Sequence, residues 1–594
     1  MRQHRMQIPV LCMILVGLGA AFAAHSGRAQ GLAPCAQIKA ACEQAGFTQG
    51  AFREGSGLQV DCIRPIMQGT SQPPKASKTL PQVDPQLVTA CKARNPNFGE
   101  AKALPVQAPT QPPSPSRSPR SETTHNPASQ ALSATSKRPN IVFILTDDLS
   151  WNLVQYMPHV VKMQRDGVSF ANYFVTDSLC CPSRSSIFTG RYPHNTGIFR
   201  NVGPDGGYLA FLNRGYERAT FATALSATGY RTAMLGKYLN GYLPMQHNVA
   251  SGWSEWDVAG NGYPEFNYNI NQNGKVAHYG NDPTDYLTDV ISSMAVNFIK
   301  QASDSPFLIE IATFAPHAPY TPAPRDSNAL PGLSAPRTPA FNTAPDANAP
   351  KWLSAHLPLS EADMAAIDKD FRKRAQSVLA VDAMIAELEA AVTSSGQADN
   401  TYFIFSSDNG YHMGEHRLLP GKMTAYDTDI HVPLIVTGPG IPAGLRVEEG
   451  AENIDLCPTF IELGGAAPLP DVDGRSLVPL LHGQKVRDAR TVALIEHHGP
   501  LKDWTDPDMP AARSGNPTSY EAIRATTMLY VEYADGEKEY HDLAADPNEM
   551  RNTFASLSNE KKAWLHATLA AVQICHGAQN CAAAEHPTRS AMQQ

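Results

Sequence analysis

A chain of 594 residues is longer than one hydrophobic core usually organises, so a large domain with smaller attachments is expected. Its 42% hydrophobic and 18% charged residues are a globular balance, and its 48 prolines are too many for helices and strands alone to hold. A formal net charge of -8 excludes a basic field that could hold nucleic acid by counterion release, so an anionic ligand must be gripped locally.

Residues 1–30 read as an export signal. Arg2, His4 and Arg5 precede an apolar run from Ile8 to Ala24, with small residues around Ala21-Phe22-Ala23. No later stretch supplies the roughly 20 apolar residues of a membrane span, so no transmembrane segment is expected after cleavage, and the mature chain is expected to be secreted or periplasmic. Cys12 leaves with the signal, and the other cysteines face an oxidising compartment.

Residues 31–100 read as a disulfide-stapled module built on Cys35, Cys42, Cys62 and Cys91. Three pairings are open to these four, and neither a C-x2-C spacing nor a nearby histidine points to a metal site. Residues 101–138, with PTQPPSPSRSPRSETTHNPASQ, read as an extended linker that has little to bury. At residue 139 the character changes to the apolar run Ile141 to Leu145. Similar runs occur at 306–313, 401–405 and 432–436, separated by helical stretches such as 361–394, and together they predict an α/β fold with a mostly parallel sheet over 139–485. From 486 to 594 the pattern shifts to antiparallel strands at 522–533 and 539–543, a smaller C-terminal subdomain in which Cys575 and Cys581 can close a small loop.

Three of the apolar runs end in polar residues that a fold does not itself require: Asp147-Asp148, His317, and Asp408-Asn409. Ligands of open parallel sheets bind beyond the carboxyl ends of the strands, so these groups are expected to share one crevice. Adjacent carboxylates repel one another unless a cation neutralises them, and oxygen ligands alone suit calcium or magnesium better than zinc. Taken singly, each pair is also compatible with a helix cap or turn.

The most specific segment is Cys180-Cys181-Pro182-Ser183-Arg184, continuing to Thr189-Gly190-Arg191. It resembles the C-x-P-S-R signature of the formylglycine-dependent (type I) sulfatases, in which the first cysteine is oxidised to formylglycine. The resemblance extends from Pro139 to Asn552 through Asp147-Asp148, Gly236-Lys237, His317, Asp408-Asn409-Gly410 and Lys422. In the form of Cys-Cys-Pro-Ser-Arg and Gly-Lys-Tyr-Leu-Asn it is most similar to N-acetylglucosamine-6-sulfatases and heparan endosulfatases.

The resemblance implies an alkaline-phosphatase-like mixed, mostly parallel sheet sandwiched by helices. It implies a calcium ion, with magnesium as the alternative, on Asp147, Asp148, Cys180, Asp408 and Asn409. Cys180, Arg184, Lys237, His317 and Lys422 become catalytic, and Lys237, His317, Lys422 and His412 contact the substrate, a sulfated small molecule or glycan such as a glycosaminoglycan. A formylglycine-generating enzyme becomes a required partner. The chemistry has a reason: the hydrate of formylglycine carries two hydroxyls, one to attack sulfur and one to expel sulfate, and a serine lacks the second. His317 is the expected proton donor to the leaving alcohol. Many arylsulfatases have a histidine two residues after the Gly-Lys lysine; here Leu239 stands there, leaving that contact to Asn240 or His412 or to no residue. The competing readings are a phosphonate monoester or phosphodiester hydrolase of the same superfamily, and an unmodified pseudoenzyme that binds anionic glycans. A two-zinc phosphatase should instead place Ser or Thr at position 180 with more histidines around it.

Overall fold

The computed structural model describes residues 34–47, 58–68, 72, 76–94, 137–301, 305–503, 506 and 508–586. The expected export signal and the linker up to residue 136 lie outside them. No helix among the described residues is long and apolar enough to cross a membrane.

Two compact units divide the chain. In the first, α1 (Pro34–Gln44), α2 (Arg64–Gln68) and α3 (Pro85–Arg94) are tied by the disulfides Cys35–Cys91 and Cys42–Cys62, one of the three pairings left open by the sequence. Ile38, Phe47, Leu58, Ile63 and Met67 pack around the sulfurs. So few apolar side chains make a thin core, which cross-links supplement.

The second unit holds a ten-stranded sheet made of β1 (Asn140–Thr146), β2 (Val168–Phe174), β3 (Arg231–Lys237), β4 (Glu255–Ala259), β5 (Tyr268–Gln272), β6 (Lys275–Tyr279), β7 (Phe307–Ala312), β8 (Thr401–Ser407), β9 (Leu434–Thr437) and β10 (Leu445–Glu452). Their order is β10-β2-β9-β8-β1-β7-β3-β4-β5-β6. The block β8-β1-β7-β3-β4 is parallel, whereas β9 runs antiparallel to both of its neighbours. Ile141, Phe143 and Leu145 enter one core layer and Val142 and Ile144 the other, which is why β1 reads as continuously apolar. Of the helices, α5 (Cys180–Thr189) and α8 (Leu456–Leu463) cover the first face; α4 (Pro158–Asp166), α6 (Leu287–Gln301) and α7 (Glu361–Ser394) cover the second. The stretch 242–280 contains β4 and the hairpin β5–β6.

A separate four-stranded antiparallel sheet follows, made of β11 (Ala493–His497), β12 (Tyr520–Ala525), β13 (Met528–Tyr533) and β14 (Lys538–Asp542). The expected strand 522–533 is two strands, turned at Thr526-Thr527. Tyr520, Ala522, Leu529 and Val531 join the core of the large sheet, while Ile523 and Tyr530 pack with Leu565 and Leu569 of α9 (Asn559–Val572). Cys575 and Cys581 are bonded, and Cys180, Cys181 and Cys457 are buried free thiols.

Candidate active site

Parallel pairing in register brings four strand ends to one edge. Thr146 lies opposite Ser407, Leu145 opposite Ala312, and Ala312 opposite Gly236. Asp147, Asp408 and Lys237 therefore leave the sheet at the same level, with His317 on the turn that follows β7. Gly236 is required for this: its φ is 87°, and a Cβ there would stand 2.0 Å from the Ala312 carbonyl oxygen. Asp148 also adopts a left-handed backbone (φ 61°), fixed by Arg374 donating to its carbonyl at 2.5 Å and by its own N–H donating to Asp408 at 3.2 Å.

Into this edge α5 presents its first residue, Cys180. Pro182 sits in the first turn, where no N–H is needed, and Gly190 closes the helix in the left-handed region. The Cys180 Sγ lies 3.2 Å from Asp147 Oδ1 and 2.9 Å from Lys422 Nζ. Lys237 reaches the other oxygen of Asp147 at 2.5 Å, and Lys422 reaches Asp148 at 2.6 Å. Arg184, one turn after Cys180, donates to Asp408 Oδ2 at 2.7 Å and to the Lys237 carbonyl at 2.9 Å. Ser183 bonds the Asp408 carbonyl, and Asn453 in turn bonds Ser183.

All these groups are buried, so each charge survives only through its partners. Burial opposes the charge on Lys237 and Lys422, but Asp147 above all at Lys237, and Asp148 and Asp508 at Lys422, outweigh it and raise both pKa values. The Cys180 thiol is pushed well up, first by burial and then by Asp147, Asp408 and Asp508, so in unmodified form it is a protonated thiol and a poor nucleophile. His317 faces acceptors on both nitrogens, Ala318 O at 2.7 Å and Asp508 Oδ1 at 2.6 Å, and so carries two protons. Burial disfavours that charge, yet Asp148, Asp147 and Asp508 raise its pKa.

The carboxylates suit a hard divalent cation: one oxygen from each of Asp147 and Asp148 lies within 4.8 Å of the other and of the Cys180 sulfur and a His317 ring nitrogen, and the imidazolium offers no lone pair, so the oxygens would hold the ion. Asn409 Nδ2 donates to Asp148 at 2.7 Å, while Asn409 Oδ1 is buried without a partner, as expected of an oxygen reserved for an ion. A cavity of about 490 Å³ opens from Asp148, His317, Lys422 and Asp508 toward the start of α7.

Residues 139–466 match the Sulfatase family model, and residues 414–574 match the model for the C-terminal part of N-sulphoglucosamine sulphohydrolase. The chain belongs to the sulfatase family. It is 34% identical over 479 residues to human N-acetylglucosamine-6-sulfatase, an alignment that covers 75% of this chain and 86% of the relative. Its fold is shared with a protein solved in complex with its substrate D-glucosamine-2-N,6-O-disulfate (TM-score 0.63, 23% identity, 73% of this chain and 97% of that one). It is shared too with the phosphonate monoester hydrolase of Agrobacterium radiobacter (TM-score 0.55, 21% identity, 72% and 94%), so the fold alone does not choose the ester.

Nine of the ten residues expected at the site of this sulfatase converge: Asp147, Asp148, Cys180, Arg184, Lys237, His317, Asp408, Asn409 and Lys422. The tenth, His412, was expected to contact substrate and does not line the cavity. Its ring is held between Asp429 at 3.0 Å and the Ser514 carbonyl at 3.0 Å, where it braces the loop that carries Lys422. Asn240 is buried and donates to Tyr263 and Asp508. Sequence reasoning missed Asp508, which reaches in from the connection between β11 and β12. It bonds His317, lies 2.9 Å from Lys422, and accepts from Asn201 at 2.6 Å. It also missed Tyr263, whose ring lies 5.0 Å from Lys237 Nζ and 4.6 Å from the His317 ring. The only trace of Asp508 in sequence is a Pro- and Asp-rich loop between two strands.

Proposed function

We propose that this protein is exported and hydrolyses sulfate monoesters of an amino sugar or glycan through a formylglycine formed from Cys180, with calcium held by Asp147, Asp148, Asp408 and Asn409. The observation that carries the reading is the setting of Cys180: first residue of a buried helix, in reach of Asp147 and Lys422, ringed by Lys237, Arg184 and His317. The 34% identity to an N-acetylglucosamine-6-sulfatase supports the substrate class. When present, hydrated formylglycine supplies the nucleophilic oxygen and the second hydroxyl that releases sulfate, and the cation supplies charge that lowers the cost of forming that nucleophile.

The remaining work belongs to the side chains. Lys237 and Lys422 now lean on Asp147 and Asp148; once those carboxylates serve a cation, the two ammonium groups are free to neutralise sulfate oxygens. Arg184 pairs with Asp408 and fixes it, and its second contact, to the Lys237 carbonyl, locks the end of β3 to α5. His317, with Nδ1 pinned by Ala318, presents a protonated Nε2 to the cavity, where it can give its proton to the departing alkoxide. Maturation requires a formylglycine-generating enzyme acting before Cys180 is buried.

Mass analysis of the peptide spanning residues 180–184, from protein made in its native host, tests the reading. Conversion of cysteine to formylglycine is the expected result. A plain thiol at position 180 overturns the mechanism and leaves an anion-binding protein.

A further inference from the structure

The two ends of the cavity differ in charge. At the inner end stand Lys422 and His317, both already engaged with carboxylates. Toward the mouth, the first turns of α7 contribute Ala362, Asp363, Ala366 and Asp370, and the facing wall is Pro420, Met509 and Pro510. Asp363 is capped by Ser360 and bonded by Arg513 at 3.2 Å. Asp370 is half-buried with Lys369, Lys373 and Arg374 near it, yet it is bonded to none of them. Among the described residues the lining offers no cation beyond the inner lysine and histidine; of its carboxylates, Asp508 is paired with those two and Asp363 with Arg513, which leaves Asp370 without a bonded cation. A groove for a polyanionic chain needs the reverse, arginine and lysine forks along its length.

We infer that the site selects sulfate esters whose remaining body is uncharged or carries an ammonium group, and that Asp370, the α7 lining carboxylate that no cation bonds, repels a second sulfate or a carboxylate on the same or the adjoining sugar. This rests on the sulfatase reading and specifies its substrate. The inner pocket neutralises one sulfate; a second anion on the sugar faces Asp370 instead, and a like-charge encounter through partly solvated space lowers affinity about tenfold.

The test is turnover by the calcium-loaded, formylglycine-bearing enzyme at low ionic strength. The substrates are glucosamine 6-sulfate, N-acetylglucosamine 6-sulfate and glucosamine 2-N,6-O-disulfate, with 4-nitrophenyl sulfate as a reference ester. The first two should lie within a few-fold of each other in kcat/KM, and the disulfate at least about tenfold lower, the gap shrinking in high salt. Asp370→Asn should raise the ratio of disulfate to N-acetyl turnover about tenfold, while Asp370→Glu, which keeps the charge, should leave that ratio as it is. A disulfate cleaved as well as the monosulfates, or a ratio that Asp370→Asn does not move, overturns the inference and leaves the sulfatase reading standing. If neither the sugars nor the aryl sulfate are hydrolysed, both fall together.

Discussion

Replacing Lys422 by methionine removes the counter-charge of the two carboxylates that this lysine serves. Its Nζ is 2.6 Å from Asp148 Oδ1 and 2.9 Å from Asp508 Oδ1, with all three groups buried. A cation on Asp148 must compete with that ammonium group. A charge-assisted hydrogen bond is worth about 1.5–3 kcal/mol, so its removal should tighten calcium binding by roughly 10- to 100-fold. The metal-free variant meanwhile keeps buried carboxylates without their counter-charge, a loss of about 3–5 kcal/mol. An unfolding entropy near 2.1 cal/mol/K per residue, over about 450 residues, is roughly 1 kcal/mol/K, so the midpoint without calcium should fall by about 3–5 °C. Calcium at about 100 times its Kd restores about 2.7 kcal/mol, close to 3 °C. Thermal unfolding across a calcium titration, calorimetric Kd values and aryl sulfate turnover measure all three effects. Expected are a lower midpoint without calcium, a tighter Kd than the parent, and turnover down at least about 100-fold for want of the charge on the sulfate. A calcium Kd that weakens or stays put would refute the competition, and with it the placement of the ion on Asp148.

Two further outcomes follow from buried groups around the site. Glu310 of β7 has both carboxyl oxygens buried without partners, and burial, partly offset by Arg184, pushes its pKa up to about 8. The folded protein thus holds a proton that the unfolded chain releases above 4.5, so this group's stability is full below that pH, declines by roughly 1.4 kcal/mol per unit as pH rises toward 8, and then levels. Denaturant unfolding should show the advantage of Glu310→Gln over the parent growing between about pH 5 and 8; parallel profiles would exclude a shifted carboxyl. Gly236→Ala sets a methyl against the Ala312 carbonyl at a left-handed position, so it should cost at least about 3 kcal/mol in denaturant unfolding and lower kcat by misdirecting Lys237. Parent-like stability and kcat would show that β3 and β7 can part at no cost.

What was legible in the chain, and what was not, follows from how each residue is positioned. The run from Ile141 to Leu145 is apolar at every position because both faces of β1 are covered, and that signature survives in sequence alone. Once β1, β7 and β8 are parallel neighbours, Asp147, His317 and Asp408 must share an edge whatever loops surround them, so spacing and strand character sufficed to group them. The long helix from Glu361 to Ser394 was equally plain as a helical stretch, and in the structure Ser360 and Asp363 close a capping box at its start. Asp508 obeys no such rule. It hangs from a connection of the smaller sheet, more than 190 residues beyond His317, and its approach depends on Asn201 and on packing that no local pattern encodes. His412 errs in the opposite sense: it is close in sequence to Asp408 and Asn409, but Asp429 and the Ser514 carbonyl turn its ring away from the cavity. Proximity along the chain is informative where the backbone is a strand end of known direction and uninformative one turn later. Charge selection by α7 is hidden for the same reason, because Asp370 is one acidic residue of a long helix until the opposite wall, Met509 and Pro510, arrives from the C-terminal subdomain to make a cavity of it.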